Sequence, residues 1–277
     1  MVIGKSDLKN IMEKHDLKPS KSLGQNFVVD PNTILKIIRA ANIEKHQQIL
    51  EIGPGLGSLT SQLSTTSKVV AIELDRYLVP ALEEVLNHFG ERENVEIIHQ
   101  DAMKIDWKEF FSHRQGIWKM VANLPYNIAT PLLVTLLENA PEIQAIYVMV
   151  QLEVGERFAA SPRSKAYGIP SVKAQYWAET KVLGKVSPNV FLPVPKVDSA
   201  ILQIIRKSSP PEVNYANFSR LIQTAFQHRR KMIRKSLNKL VPLANFSIAE
   251  LSPQARPEEL SVTDWVKLAK TLDTAKK

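Results

Sequence analysis

The chain has 277 residues, 44% of them hydrophobic and none of them cysteine, which supports one substantial core plus a smaller unit and excludes disulfides, thiolate metal sites and cysteine nucleophiles. Its net charge of +8 is unevenly placed: residues up to Ile205 carry 22 basic and 22 acidic side chains, whereas Arg206 onward carries 14 against 6. No charged-then-apolar leader and no apolar run near ~18 residues is present, so neither export nor membrane insertion is expected and a reducing cytoplasm suits the composition.

In chain order, strand-like apolar runs fall at Gln48–Ile52, Lys68–Glu73, Val95–His99, Ile117–Ala122, Ala145–Val150, Lys181–Val186 and Ser199–Ile205. Segments with helical period lie between them, at Pro31–Ala41, Leu56–Leu63, Asp75–His88, Thr130–Glu138 and Gly168–Trp177. This alternation implies a parallel-rich sheet covered on both faces. The last two strands, joined by the Pro-rich loop Pro188–Pro195, are expected to form an antiparallel pair closing one edge.

Around Lys207-Ser208-Ser209-Pro210-Pro211 the pattern changes to that of a linker. Beyond it only helical segments are expected, at Tyr215–Gln227, Lys231–Leu240, near Ser247–Glu250 and at Thr263–Leu272. The expected domains are therefore 1–206 and 212–277. The charge excess peaks at Arg229, Arg230, Lys231, Arg234, Lys235 and Lys239, which reads as a surface facing a polyanion. A solvated basic helix face is the plain alternative.

Glu51-Ile52-Gly53-Pro54-Gly55-Leu56-Gly57 follows the first strand and opens a helix. A dinucleotide fold prefers G-x-G-x-x-G with a pyrophosphate on the helix N-terminus. The tighter G-x-G-x-G lets backbone pass close to a ligand without phosphate, such as the methionine end of S-adenosylmethionine. An ordinary glycine-rich turn would look the same. Glu73, ending the second strand, suits both ribose hydroxyls of a nucleoside, or is a solvated strand-end acid. Asp101, after the third, suits an adenine amine, or is a helix N-cap. Asn123 ends the fourth strand. Gly53, Gly55, Glu73, Asp101 and Asn123 thus converge on one crevice, and the joint occurrence carries more weight than any one residue.

Asn123-Leu124-Pro125-Tyr126 fits a particular task, methylation of the exocyclic amine of a planar base. The lone pair of such an amine is delocalised into the ring. An Asn oxygen and a neighbouring carbonyl can accept its two N–H bonds and favour a tetrahedral nitrogen; Pro stiffens the turn, and Tyr offers a stacking face. His99 and His113 flank these segments and read as surface or packing residues. The six histidines are scattered and no metal is expected.

The chain resembles the small-subunit ribosomal RNA adenine N6-dimethyltransferases over nearly its whole length. The resemblance rests on Lys21–Phe27, Glu51–Thr60, Ile72–Asp75, Val121–Asn127, Ser164–Gly168, Phe191–Ala200 and Phe226–Lys231, several long motifs in the right order. It implies a Rossmann-like class I S-adenosylmethionine-dependent methyltransferase domain with a seven-stranded, mostly parallel sheet, and a small all-helical, basic, RNA-binding C-terminal domain. It implies cofactor contacts at Asn26, Val28, Gly53, Glu73, Asp101 and Asn123, with Gln25 nearby. Asn123, Leu124 (through its carbonyl), Pro125 and Tyr126 would hold the target adenine, with Phe191 sandwiching it against Tyr126. From its residues alone Phe191 reads as a core anchor.

The implied substrate is a pair of adjacent adenines in a loop near the 3′ end of small-subunit ribosomal RNA, each dimethylated, with a role in subunit biogenesis. The small ribosomal subunit is the implied partner, and a monomer is expected because no heptad or apolar seam is visible. Val28 stands where Leu is usual, Leu152 where a base is usual, Gly155 where Ala is common, and Ile169-Pro170 follows Tyr167-Gly168; the change at Leu152 puts one RNA contact in doubt. Alternatives are an Erm-type large-subunit RNA dimethyltransferase, a mainly non-catalytic ribosome-assembly factor, and a protein glutamine methyltransferase with its Asn-Pro-Pro-Tyr-like turn.

Overall fold

The computed structural model describes residues 2–45 and 47–273. Among them the strands are β1 (Phe27–Val28), β2 (Gln48–Ile52), β3 (Lys68–Glu73), β4 (Val95–His99), β5 (Trp118–Asn123), β6 (Ile143–Gln151), β7 (Ala178–Val186), β8 (Phe191–Leu192) and β9 (Ser199–Arg206). Seven of these form one sheet in the order β4-β3-β2-β5-β6-β9-β7. The pairs β2–β3, β3–β4, β2–β5 and β5–β6 are parallel, and β9 runs antiparallel to β6. The chain builds outward from β2 through β3 to β4, then returns to β2's other side with β5. That reversal opens a crevice beyond the carboxyl ends of β2 and β5, where α/β sheets bind ligands.

The central strands are buried on both faces, which is why their sequences are continuous β-branched and aliphatic runs rather than alternating ones. Helix Pro31–Ala41 covers part of the sheet; it starts where Asp30 Oδ2 accepts from Thr33 N at 2.8 Å and Pro31 takes the first turn. The expected helix Leu56–Leu63 forms only over Thr60–Ser64. Gly53 and Gly55 sit at φ +71° and +58°, so the chain coils through a left-handed turn before any helix begins.

Among the described residues two compact units emerge: 2–155 with 181–206, and 156–180 with 207–273. The first boundary therefore differs from the expected division at 206. Residues 156–180 bring Tyr167, Val172 and Tyr176 into the core of the second unit, with Phe218, Leu221, Ile222 and Trp265. An apolar helix inside an α/β alternation gives no sign of which core it joins. The linker segment 207–214 is irregular, as its composition implies, and residues 274–277 of the expected second domain lie outside the described residues.

Other elements were not expected. Helices Lys5–Lys14, Trp107–Ser112 and Leu152–Phe158 are present, and β1 and β8 pair as a two-stranded antiparallel ladder. Conversely, Lys231–Leu240 yields one short helix, Ile233–Ser236. Met232 is extended before it (φ −58°, ψ 142°). The first free amides, Ile233 and Arg234, donate to the carbonyls of Ala255 and Pro253 instead of continuing a helix.

Gly155 is buried inside helix Leu152–Phe158, and a Cβ there would meet Ala200 Cβ and Val182 Cγ2 at 3.4 Å, ordinary contact. Gly155→Ala is therefore expected to raise stability by about 0.5–1 kcal/mol through helix propensity, measurable as a higher denaturant midpoint at unchanged slope. A lower midpoint would mean that the neighbours cannot accept the methyl group.

Candidate active site

A cleft at the crevice is lined by Leu23–Val28, Glu51, Gly53–Leu56, Ser58, Leu59, Glu73, Leu78 and Asn123–Tyr126. Four separate sequence segments thus meet at the carboxyl ends of β2, β3 and β5. A Cβ on Gly53 would meet the Pro125 ring at 3.1 Å, and one on Gly55 would meet the Phe27 ring at 2.9 Å. The glycines therefore bring the β2 turn against the β5 turn and the N-terminal segment, leaving main chain as the cleft wall.

Asn123 is the most constrained polar side chain there. Its Nδ2 donates to the Asn26 carbonyl at 2.8 Å, which fixes the amide's orientation. Its Oδ1 is buried and has no hydrogen-bond partner. A buried acceptor without a donor carries a desolvation cost of roughly 1–3 kcal/mol, and its position in the cleft wall points to a donor arriving with a ligand. Leu124 N donates to Met149 O at 3.1 Å, tying this turn to β6. Tyr126 is half-buried, its hydroxyl 2.6 Å from Ser199 Oγ. Burial raises the Tyr126 pKa, the Ser199 hydrogen bond opposing it, so the ring stays neutral.

Glu73 is 6% exposed, and each carboxylate oxygen already accepts a backbone amide, Oε2 from Gly55 at 3.0 Å and Oε1 from Asp75 at 2.9 Å. Burial raises its pKa, and those two amides oppose the shift. Each oxygen keeps a lone pair for a hydroxyl donor. Gln25 closes the rim: its Oε1 accepts from Ser20 N and its Nε2 donates to Asp75 Oδ2. Asn26 and Val28 line the cleft as the resemblance implied.

Two expected residues stand elsewhere. Phe191 is 1% exposed and packs in the main core with Val28 and Ile201, because β8 pairs it with Val28 of β1. Phe191 is not among the residues lining the cleft, and its burial fits the core-anchor reading. Asp101 caps the short helical turn Ala102–Lys104 through Met103 N at 2.9 Å, and it too lies outside the lining. His99 is exposed, its Nε2 3.0 Å from the Leu74 carbonyl, and His113 caps helix Trp107–Ser112; neither enters the lining.

Within the second unit, Arg229 differs from its neighbours. Its guanidinium pairs with Glu258 and donates to the carbonyls of Ser164 and Lys165. Arg230, Lys231, Arg234 and Lys235 are exposed.

The cleft fits S-adenosylmethionine on its own features: a main-chain wall shaped by glycines, a buried carboxylate for hydroxyl donors, and unpartnered buried oxygens on Glu51, Ser58 and Asn123. The sequence model of the family described as "Ribosomal RNA adenine dimethylase" matches residues 17–274. The chain belongs to that family. It is 40% identical over 270 residues to "Ribosomal RNA small subunit methyltransferase A" of Clostridium botulinum, covering 94% of this chain and 96% of the relative. The protein of that name in Ligilactobacillus salivarius is 40% identical over 278 residues, covering 95% and 93%. A dimethyladenosine transferase from Plasmodium falciparum superimposes with TM-score 0.76 at 26% identity, over 89% of this chain and 97% of that one. The 23S rRNA methyltransferase ErmE does so with TM-score 0.68 at 27% identity, over 90% and 100%. Among the described residues of this adenine dimethylase family member, no group of three or more His, Asp or Glu could hold a metal, and no helix is long and apolar enough to cross a membrane.

Missed by the sequence reading was Ser199, whose hydroxyl lies 2.6 Å from that of Tyr126.

Proposed function

We propose that Asn123, Leu124, Pro125 and Tyr126 hold a flipped adenine of small-subunit ribosomal RNA while its N6 amine is dimethylated, S-adenosylmethionine being the methyl donor. The carrying observation is the Asn123 amide, pinned through Nδ2 and left with one buried, unpartnered acceptor. The bound donor supplies an electrophilic methyl group on a sulfonium. Gly53 and Gly55 offer main chain to its methionine end, and Glu73 accepts ribose hydroxyls. Gln25, Asn26 and Val28 form the rim over it.

Asn123 Oδ1 then accepts one N–H of the target amine, turning the nitrogen lone pair out of the ring plane. Leu124 N donates to the Met149 carbonyl, which anchors the turn, and the Leu124 carbonyl is the second acceptor. Tyr126, fixed by Ser199, stacks on the base and returns about 1–3 kcal/mol of the cost of unstacking it. No histidine or lysine is among the described residues lining the cleft. None is required, because the amine proton becomes acidic only as the new bond forms and passes to water. The protein's work is alignment and exclusion of solvent.

The target is two adjacent adenines near the RNA 3′ end, and the enzyme acts as a cytoplasmic monomer during subunit biogenesis. The second unit supplies phosphate contacts through Arg230, Lys231, Arg234 and Lys235. Replacing both Arg230 and Arg234 by Ala is expected to weaken subunit binding and lower the slope of log affinity against log salt by up to about 2. Arg229→Ala should instead lower the stability of that unit, since its charge is engaged internally; an unchanged slope in the double variant would assign the pair to solubility.

The deciding experiment is transfer of labelled methyl groups to purified small and large subunits lacking adenine dimethylation, with mapping of the modified nucleotides. N6-dimethyladenosine at the paired adenines of the small subunit supports the reading. Label confined to the large subunit, or tight small-subunit binding without label, overturns it.

A further inference from the structure

Glu51 is an acid in the cleft lining that the mechanism leaves without a task. It ends no strand and caps no helix. Its side chain rises from inside β2, 1% exposed, and Oε2 has no hydrogen-bond partner. Close to it, β3 contributes the Glu73 carboxylate and the helix after β2 the Thr60 hydroxyl, while Ser58 and Tyr126 line the same cleft. The Thr60 hydroxyl lies close enough to favour the ionised form, although neither it nor Glu51 Oε2 completes a hydrogen bond. No lysine, arginine or histidine is among the described residues lining this cleft. Two buried acids therefore share one cavity with no protein cation. Burial raises the Glu51 pKa to about 8, and the Glu73 charge adds to the shift.

A carboxyl in that setting is held neutral until a positive charge enters the cavity. S-adenosylmethionine carries such charge only on its methionyl end, as ammonium and sulfonium; its nucleoside is neutral. We propose that Glu51 is the counter-ion for the cationic methionyl end and gives up its proton when the cofactor binds. Glu51 thereby recognises charge, complementing the shape and hydroxyl recognition of the glycine turn and Glu73. The proposal rests on the cleft being the cofactor site.

Linkage fixes the sign. Binding selects the ionised carboxylate, so between pH 6 and 7, below the free group's pKa, affinity for S-adenosylmethionine rises close to tenfold per pH unit. Most of one proton leaves per cofactor bound at pH 6.5. For the cofactor-free protein the raised pKa works the other way. The folded state holds the proton more tightly than the unfolded chain, so Glu51 lowers stability as pH rises from about 5 to 8.

The test is titration calorimetry of the full chain with S-adenosylmethionine at pH 6.5, in two buffers of different ionisation enthalpy, beside 5′-methylthioadenosine, a neutral nucleoside lacking the methionyl end. The expected results are proton release near one for the cofactor and near zero for methylthioadenosine. In Glu51→Gln, release falls to near zero, cofactor affinity drops at least tenfold at pH 7, its dependence on pH flattens, and methylthioadenosine affinity is unchanged. Cofactor binding without proton release in the wild type, equal release with methylthioadenosine, or full release retained in Glu51→Gln would each overturn the proposal. The first two need no variant. Methylthioadenosine binding in the absence of any cofactor binding overturns it as well. A wild-type protein that binds neither ligand would instead remove the cofactor site from this cleft.

Discussion

Asn123→Ala is expected to lower kcat by about 10²–10³-fold, the usual loss when one preorganised hydrogen-bonding group is removed from a reaction centre, with affinity for the small subunit nearly kept. The side chain does two things at once. Nδ2 holds the Asn26 carbonyl at 2.8 Å, and Oδ1, buried and without a partner, is the acceptor proposed for the amine. Asn123→Asp separates them: it keeps an acceptor toward the base but places a carboxylate oxygen against the Asn26 carbonyl. Two acceptors facing each other repel, so Asn123→Asp should be nearly as inactive and should also bind cofactor more weakly. Single-turnover methylation with saturating cofactor, alongside subunit binding, distinguishes these effects. Near-normal turnover of Asn123→Ala would remove the amine-orienting role from this residue.

The parts of this site that were legible in the sequence are those whose chemistry is local. β2, β3 and β4 begin and end where the apolar runs do, and in β2 and β3 burial on both faces leaves little room for polar residues before the strand ends. The glycine turn, Glu73 and Asn123 sit at those ends, so finding the strands found the crevice. Residues set by long-range pairing were not legible from pattern alone. Asn26 and Val28 reach the cleft because β1 pairs with β8, which lies far away in sequence, and the same ladder draws the Phe191 ring into the core. Ser199 reads as an ordinary strand start until its hydroxyl is seen 2.6 Å from Tyr126. Residues 156–180 gave no sign of joining the second unit, since helical period marks an apolar face without naming the core that it covers. Glu51 carries a signal, an acid within the apolar strand Gln48–Ile52, but in sequence it looks the same as the first letter of a glycine motif.

Glu73→Ala is expected to cost the most after Asn123, by two routes that separate experimentally. Removing the carboxylate strands the amides of Gly55 and Asp75, each buried donor costing about 1–3 kcal/mol. The loop after β2 and the loop after β3 then lose their common anchor. It also removes the acceptor proposed for the cofactor's ribose, so affinity for S-adenosylmethionine should fall about a hundredfold or more, the equivalent of roughly 2.7 kcal/mol. Glu73→Gln is not a mild substitution here. Both oxygens accept from backbone N–H, and a glutamine amide has only one oxygen, so its NH₂ must face Gly55 N or Asp75 N. Donor then opposes donor, and Gln should lose much of the stability that Ala loses while keeping the shape of the site. If Glu73 served the loops alone, both variants would melt earlier yet bind cofactor normally at a temperature where they remain folded. If it served the ribose alone, their denaturant midpoints would match the wild type. The geometry, with two amides held and a lone pair left on each oxygen, requires both losses together, and calorimetry on the folded variants beside urea unfolding reads them independently.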